Sequence, residues 1–257
     1  MAPPTRPNDT ARMLDMSSEE YRHVFEIFLA GTDQKELSGA YLDRLAGELP
    51  RRRVFLDIGA GRGDLARHMT RHFERVVAVE PSAPMRDALR RACPDALILP
   101  DPVNTVRVEV TADLAVCAHV LYHLPPADWA ATVQRMLRWV APGGELVVML
   151  QNPDNDCMRM VRHFTGARFD LGALASRLEA GAAGLLADCR LETLPSTYRA
   201  TAQKDVLAVA ELLLTVPGLR ALPARRRLRE YVRREFSTAD GGFRIRHDQD
   251  VLRLRRA

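Results

Sequence analysis

Apolar positions follow two different rhythms along this chain. From Ser18 to Leu49 they recur at helical spacing. Tyr21, Val24, Phe25 and Phe28 mark one helix. Tyr41, Leu42 and Leu45 mark a second, running about Leu37 to Leu49 and stopping at Pro50. Ser17 or Ser18 can cap the first, with Glu19 and Glu20 in the turn where the helix dipole favours acids. From Arg53 short continuous apolar runs take over. VFLDI, RVVAVE, ALIL, DLAVCAH and ELVVML read as five strands, separated by helical stretches at 63–73, 83–92 and 127–140. Strands apolar throughout and alternating with helices predict a parallel sheet covered on both faces. Its crossovers are expected to be right-handed, with ligands at the carboxyl ends of the strands, near the switch in strand order.

Beyond Pro153 the alternation loosens. Residues 155–164 and 172–187 read as helices. CRLETLPSTYRAT reads as a sixth strand interrupted at Pro195, VLAVAELLLTVPG as an apolar helix and RRRLREYVRREF as an arginine-laced one. FRIRHDQDVLRLRR alternates in its second half and predicts a final strand, antiparallel to its neighbour. Residues 1–16 carry three prolines and no periodicity, and a mobile arm is expected there. The expected organisation is that arm, a helical lid at 17–50, and an α/β domain at 51–257 with a helical insertion about 204–236.

Composition adds boundaries. With 257 residues, 47% hydrophobic and 27% charged, the chain is ordinary globular protein. The net charge of +4 is mild and comes mainly from arginine. No apolar run approaches the roughly 20 residues of a membrane span, and the N-terminus lacks a secretory apolar stretch, so a cytoplasmic protein is expected. Cys93, Cys117, Cys157 and Cys189 show neither CxxC nor metal-ligand spacing, so reduced, buried thiols and no metal are expected.

The chemistry-bearing stretch is LDIGAGRGDL, with Gly59, Gly61 and Gly63 just after the first strand. Asp64 stands where a dinucleotide loop has its third glycine. In the first turn of the following helix it would repel a pyrophosphate otherwise drawn to the amides there. The loop also lacks the Gly-Lys-Ser/Thr of a phosphate-cradling loop. Glu80 ends the second strand and can accept hydrogen bonds from both ribose hydroxyls. The pattern fits a nucleoside without phosphates.

Glycine triplet, flanking strand and helix, acid at the next strand end and Pro-Gly-Gly before the fifth strand together resemble the class I S-adenosylmethionine-dependent methyltransferases, over roughly residues 53–152. The resemblance implies a Rossmann-like, mostly parallel seven-stranded sheet, with helices on both faces and an antiparallel C-terminal strand. It also implies S-adenosylmethionine as cofactor and S-adenosylhomocysteine as product. Asp57, Gly59, Gly61 and Gly63 would line the methionine part, Glu80 the ribose, and Met85 the adenine. Asp101 would reach the adenine amino group, and Ala118 would border the cofactor at the fourth strand's end.

Methyl transfer from a sulfonium needs mainly alignment, and a base where the acceptor arrives protonated. His119, Tyr122 and His123, in CAHVLYHLPP at the predicted ligand edge, are the catalytic candidates. His119 is the favoured base, since imidazole titrates near physiological pH. The segment from Tyr21 to Pro50, the VEPSAPM and HVLYHL runs and the C-terminal layout are similar to histamine N-methyltransferase and its bacterial relatives, including enzymes that methylate indole carbons. That likeness implies a small-molecule acceptor and makes Tyr21, Phe25, Asp33, His247 and Asp248 substrate-binding candidates. The amine enzyme has glutamine where His119 stands, which implies a different substrate and a basic group at that place. The plainer alternatives are a packing face for the aromatics and a solvated hairpin end for His247 and Asp248.

An RNA or DNA methyltransferase draws support from Arg225, Arg226, Arg227, Arg229, Arg233 and Arg234. Interleaved Glu230 and Glu235 read instead as a solvated helix face, so no nucleic-acid partner is expected. A non-catalytic cofactor-binding module is the other alternative. A monomer or a homodimer is expected.

Overall fold

The computed structural model describes residues 10–15, 18–181, 184–215 and 222–257. Its strands are β1 (Val54–Ile58), β2 (Arg75–Val79), β3 (Leu97–Leu99), β4 (Ala112–Ala118), β5 (Val140–Gln151), β6 (Leu186–Leu194), β7 (Thr197–Ala200), β8 (Phe243–Arg246) and β9 (Gln249–Arg256). Its α-helices are α1 (Glu19–Gly31), α2 (Gln34–Glu48), α3 (Asp64–Met69), α4 (Ala83–Ala92), α5 (Trp129–Leu137), α6 (Asp156–Thr165), α7 (Leu171–Gly181), α8 (Gln203–Leu213) and α9 (Arg225–Phe236). The chain divides into two units. The larger holds residues 36–150, 170–194 and 249–257; the smaller holds the described residues up to 35, with 151–169 and 195–248.

The larger unit is the expected sheet, ordered β3-β2-β1-β4-β5-β9-β6. β1 to β4 pair parallel, and β9 runs antiparallel to β6. Phe55, Leu56, Ile58, Leu114 and Val116 are wholly buried, as strands covered on both faces require. β1 has β2 on one side and β4 on the other, which is where strand order reverses. Ile58 lies opposite Val79 and Cys117. Gly59, Glu80 and Ala118 therefore leave the sheet at one edge. The other end of β1 is pinned by Asp113, whose Oδ2 accepts from the amides of Arg53 at 2.7 Å and Val54 at 3.0 Å.

Two expected strands are in fact four. Pro195 has no N–H to continue a ladder, and CRLETLPSTYRAT divides there into β6 and β7. FRIRHDQDVLRLRR divides at His247–Asp248 into β8 and β9. β7 and β8 pair antiparallel as a separate two-stranded sheet in the smaller unit. The helix expected at 172–187 ends at Gly181, and Gly184, with φ +81°, leads into β6 instead. Residues 182–183 lie outside the described residues. The helix expected at 63–73 is the shorter α3.

In the smaller unit Ser18 caps α1, its side chain accepting from the Tyr21 amide. α1 packs against α8, and α8 against α9. Of the arm expected at 1–16, residues 1–9 and 16 lie outside the described residues. Residues 10–15 make specific contacts in the smaller unit. Ala11 and Leu14 are buried, and the Ala11 amide donates to Pro223 O at 2.8 Å. The Arg12 guanidinium donates to Glu211 Oε2 from Nε at 2.9 Å and Nη2 at 2.7 Å. Thr10 forms an isolated bridge with Ala224, and residues 11–15 belong to no helix or strand. The expected lid at 17–50 splits, with α1 in the smaller unit and most of α2 in the larger. No helix among the described residues is long and apolar enough to cross a membrane.

Asp113→Ala leaves two amides at the start of β1 without their acceptor, a loss of about 1–3 kcal/mol. Thermal unfolding is expected to shift down by roughly 2–10 °C at this chain length. An unchanged midpoint would show that the pin contributes nothing.

Candidate active site

The glycine loop folds back over the neighbouring strand. The amides of Gly59 and Ala60 both donate to Val79 O, at 2.8 and 3.0 Å. Gly59 has φ +78°, and a Cβ there would sit 2.2 Å from Val120 Cγ2. Gly63 opens α3 at φ +85°, where a Cβ would meet Leu89 Cδ1 at 2.5 Å. Both positions therefore demand glycine. Gly61 has nothing within 4 Å of its would-be Cβ, so a ligand can lie against that backbone. Asp64 is the first residue of α3, where the sequence placed it.

Glu80 is buried and held on both oxygens. Oε2 accepts from the Gly61 amide at 2.7 Å and Oε1 from the Ser82 amide at 2.8 Å. Each carboxylate oxygen can take a further donor, so the same group can brace the loop and receive ribose hydroxyls. Asp57 is 2% exposed, and its Oδ2 is buried without a hydrogen-bond partner. Burial, opposed by the Ala66 amide and assisted by the charge of Glu80, pushes its carboxyl up to about 7. Two buried acids with an orphaned acceptor suit a cationic ligand, and S-adenosylmethionine carries an ammonium and a sulfonium. Of the remaining cofactor candidates, Met85 is half-buried in the first turn of α4 and Ala118 is half-buried at the end of β4. Asp101 is exposed on the bend after β3.

His119 follows β4 with φ +59°, the only non-glycine positive φ among the described residues. That conformation costs on the order of 1–3 kcal/mol and persists only where the surroundings impose it. Here the His119 amide donates to Met149 O at 2.9 Å, and Nε2 lies 2.9 Å from Gln249 Oε1. The ring stacks near-parallel with Tyr122, centroids 6.0 Å apart. Burial pushes the imidazole below its usual value, with the Gln249 bond opposing. Tyr122 and the exposed His123 sit on a one-turn 3₁₀ helix, Leu121–His123. Sequence reasoning missed Gln249 and Ser38. Gln249 Nε2 donates to Ser38 Oγ at 2.9 Å, and nothing local in either sequence segment marks that pairing.

The substrate-binding candidates all lie in the smaller unit. Tyr21 and Phe25 stack at 6.0 Å on the half-buried face of α1. Asp33 Oδ1 accepts from Ser196 Oγ and the Thr197 amide, each at 2.8 Å. Burial works against its ionisation. The Thr197 and Ser196 bonds and nearby His247 outweigh that and hold the carboxyl below its usual value. His247 is wholly buried, Nε2 2.7 Å from Thr32 Oγ1 and ring 5.2 Å from Phe28. Asp248 Oδ1 accepts from the Ser196 amide at 3.1 Å, and its carbonyl accepts from Asn152 N at 2.8 Å and Asn155 Nδ2 at 2.9 Å. Asp33, His247 and Asp248 thus meet around Ser196. His247 is no solvated hairpin end, and its burial gives it a packing role within this unit.

The sequence profile of the methyltransferase-domain family matches residues 30–207. A candidate methyltransferase from Bacillus halodurans shares the fold with TM-score 0.60 at 16% identity, over 84% of this chain and 97% of its own. The N-methyltransferase NodS from Bradyrhizobium japonicum, solved with S-adenosylhomocysteine, does so with TM-score 0.56 at 15% identity, over 93% and 99%. The chain belongs to the methyltransferase-domain family, in the class I, S-adenosylmethionine-dependent fold group. It is also 27% identical over 147 residues to an uncharacterized methyltransferase of Geobacillus kaustophilus, a match over 53% of this chain. The chain spans 59% of that relative's length.

Because the folded Asp57 carboxyl titrates near 7 and the unfolded one near 3.9, the folded chain keeps that proton longer. Its contribution is favourable at low pH and is lost as pH rises from about 4 to 7. The Asp57→Asn variant lacks this penalty. Its unfolding midpoint relative to the unsubstituted chain is expected to rise by several degrees between pH 5 and pH 8. A pH-independent difference would show that Asp57 is not raised.

Proposed function

We propose that this chain transfers a methyl group from S-adenosylmethionine to a nitrogen or an indole carbon of a small-molecule metabolite, with His119 taking the acceptor's proton. One observation carries the reading: a half-buried imidazole, held below its usual pKa, in strained backbone at the edge shared with the glycine loop and Glu80. When bound, the cofactor supplies an electrophilic methyl on a sulfonium, with neutral S-adenosylhomocysteine as the leaving product. Gly59, Gly61 and Gly63 let its methionine part lie on the backbone, Glu80 takes the ribose hydroxyls, and Asp57 balances the positive charge. Met85 and Asp101 would hold the adenine, and Ala118 would border the cofactor at the end of β4. The acceptor's electron pair forms the new bond to the methyl carbon as the carbon–sulfur bond breaks. The proton the acceptor sheds goes to His119. The flat face of Tyr122, stacked with His119, suits an aromatic or cationic acceptor. The N-methyltransferase among the solved structures of this fold supports the nitrogen branch.

The test is purified full chain with labelled S-adenosylmethionine and a panel of amines and indoles. Label is expected in at least one amine or indole pool. His119→Ala is expected to lower kcat about 10²–10⁴-fold, the share of a positioned base, with cofactor affinity unchanged. The acid limb of kcat/KM is expected to lie below the ordinary imidazole value of about 6.5. Tight cofactor binding without product in any pool would favour a binding module. Label entering only tRNA or duplex DNA would overturn the small-molecule reading.

A further inference from the structure

We propose that Arg86 is a positioning residue for the cofactor's ribose: it closes the turn between β2 and α4 and so holds the Glu80 carboxylate where the hydroxyls can reach it. This role rests on the reading of Glu80 as the ribose acid. Every group involved lies in the larger unit.

The sheet's own ladder holds the chain only as far as Glu80. The Glu80 amide donates to Leu99 O at 3.0 Å. Pro81 and Pro100, next along the two chains, have no N–H with which to extend the pairing. The carbonyls that follow are taken by one side chain. Arg86 Nη1 donates to Glu80 O at 3.1 Å and to Pro81 O at 2.6 Å. The Arg86 amide donates to Ser82 O at 2.9 Å, in the first turn of α4. Arg86 therefore grips three successive carbonyls, from the strand end to the cap of the helix.

The carboxylate depends on that turn. Glu80 Oε1 is held by the Ser82 amide, inside the turn, and Oε2 by the Gly61 amide, in the glycine loop. When the turn loosens, the Ser82 bond goes and the side chain is left on Gly61 alone. A guanidinium bonded to the carboxylate itself would take up the lone pairs that ribose hydroxyls need. Bonded to the carbonyls instead, Arg86 fixes the acid and leaves its remaining lone pairs to the ligand.

The full chain is titrated calorimetrically with S-adenosylhomocysteine and with its 2′-deoxy analogue, which lacks one ribose hydroxyl. The unsubstituted chain is expected to prefer S-adenosylhomocysteine. Arg86→Met keeps the apolar stem and removes the donors. It is expected to bind S-adenosylhomocysteine about tenfold more weakly, the worth of one hydrogen bond from a charged group, and the 2′-deoxy analogue nearly as before. The preference then narrows by the same factor. Where a methylated product is found, KM for S-adenosylmethionine is expected to rise with kcat unchanged, since Arg86 takes no part in transfer. Unchanged S-adenosylhomocysteine affinity in Arg86→Met overturns the proposal. An equal loss for both ligands also overturns it, because Arg86 would then support the fold in general. Should Arg86→Met be unfolded at the assay temperature, Arg86→Gln is judged by the same two criteria. Glu80→Gln separates the two readings. A full preference in Glu80→Gln removes the ribose reading of Glu80 and the role of Arg86 with it. A narrowed preference in Glu80→Gln alone removes only the role of Arg86.

Discussion

One register governs the site. Ile58 sits opposite Val79 on one side and Cys117 on the other. Because parallel strands point the same way, the residues that follow all emerge together: Gly59, Glu80 and Ala118, with His119 next. The three segments that carry them are far apart in sequence, and a slip of one residue in either pairing would turn their side chains to the wrong face. The register is held by apolar burial on both faces of β1 and by the Asp113 carboxylate gathering two amides at its start. The loop closes the arrangement, since Gly59 and Ala60 both donate to the carbonyl of Val79 and the Gly61 amide donates to the Glu80 carboxylate.

The two acids at this edge are treated differently by their surroundings. Glu80 is bonded by two amides, one on each oxygen, which supply the positive dipoles a buried carboxylate needs. Asp57 has the Ala66 amide and an Oδ2 with no hydrogen-bond partner among the described residues, and burial pushes its carboxyl up to about 7. Asymmetric pairs of this kind mark functional sites, because the cost of the less satisfied group is recovered when a ligand of opposite charge arrives. A cationic nucleoside meets both requirements: hydroxyls for the fixed acid and positive charge for the unsatisfied one.

The sheet and its glycine edge were legible because their signals are local. Unbroken apolar runs, a glycine triplet and a strand-terminal acid each announce themselves within about ten residues. The parts that escaped depend on distant pairings. Pro195 was visible as an interruption, but β6 and β7 join different sheets, which only the partners of each strand decide. The aperiodic run at 10–15 looked free because a segment outside helix and strand has no period, whereas Arg12 answers a fully buried Glu211 on α8. His247 and Asp248 drew attention as polar residues in a strand. The residue that reaches the candidate base is Gln249 beside them, and only the fold shows that.

The same edge explains why a histidine, rather than a residue with less conformational cost, stands after β4. Any non-glycine side chain there must accept φ near +59°. Histidine is among the few residues that tolerate this region more readily. A glycine would relax the backbone and lose the imidazole. A glutamine would keep a hydrogen-bonding side chain but could not hold a proton. Strain alone therefore argues against histidine, and retaining it requires a gain elsewhere. The Gln249 bond and the Met149 carbonyl offset part of that cost in the resting chain. The proposed role of the imidazole as a base would give the remaining cost its reason.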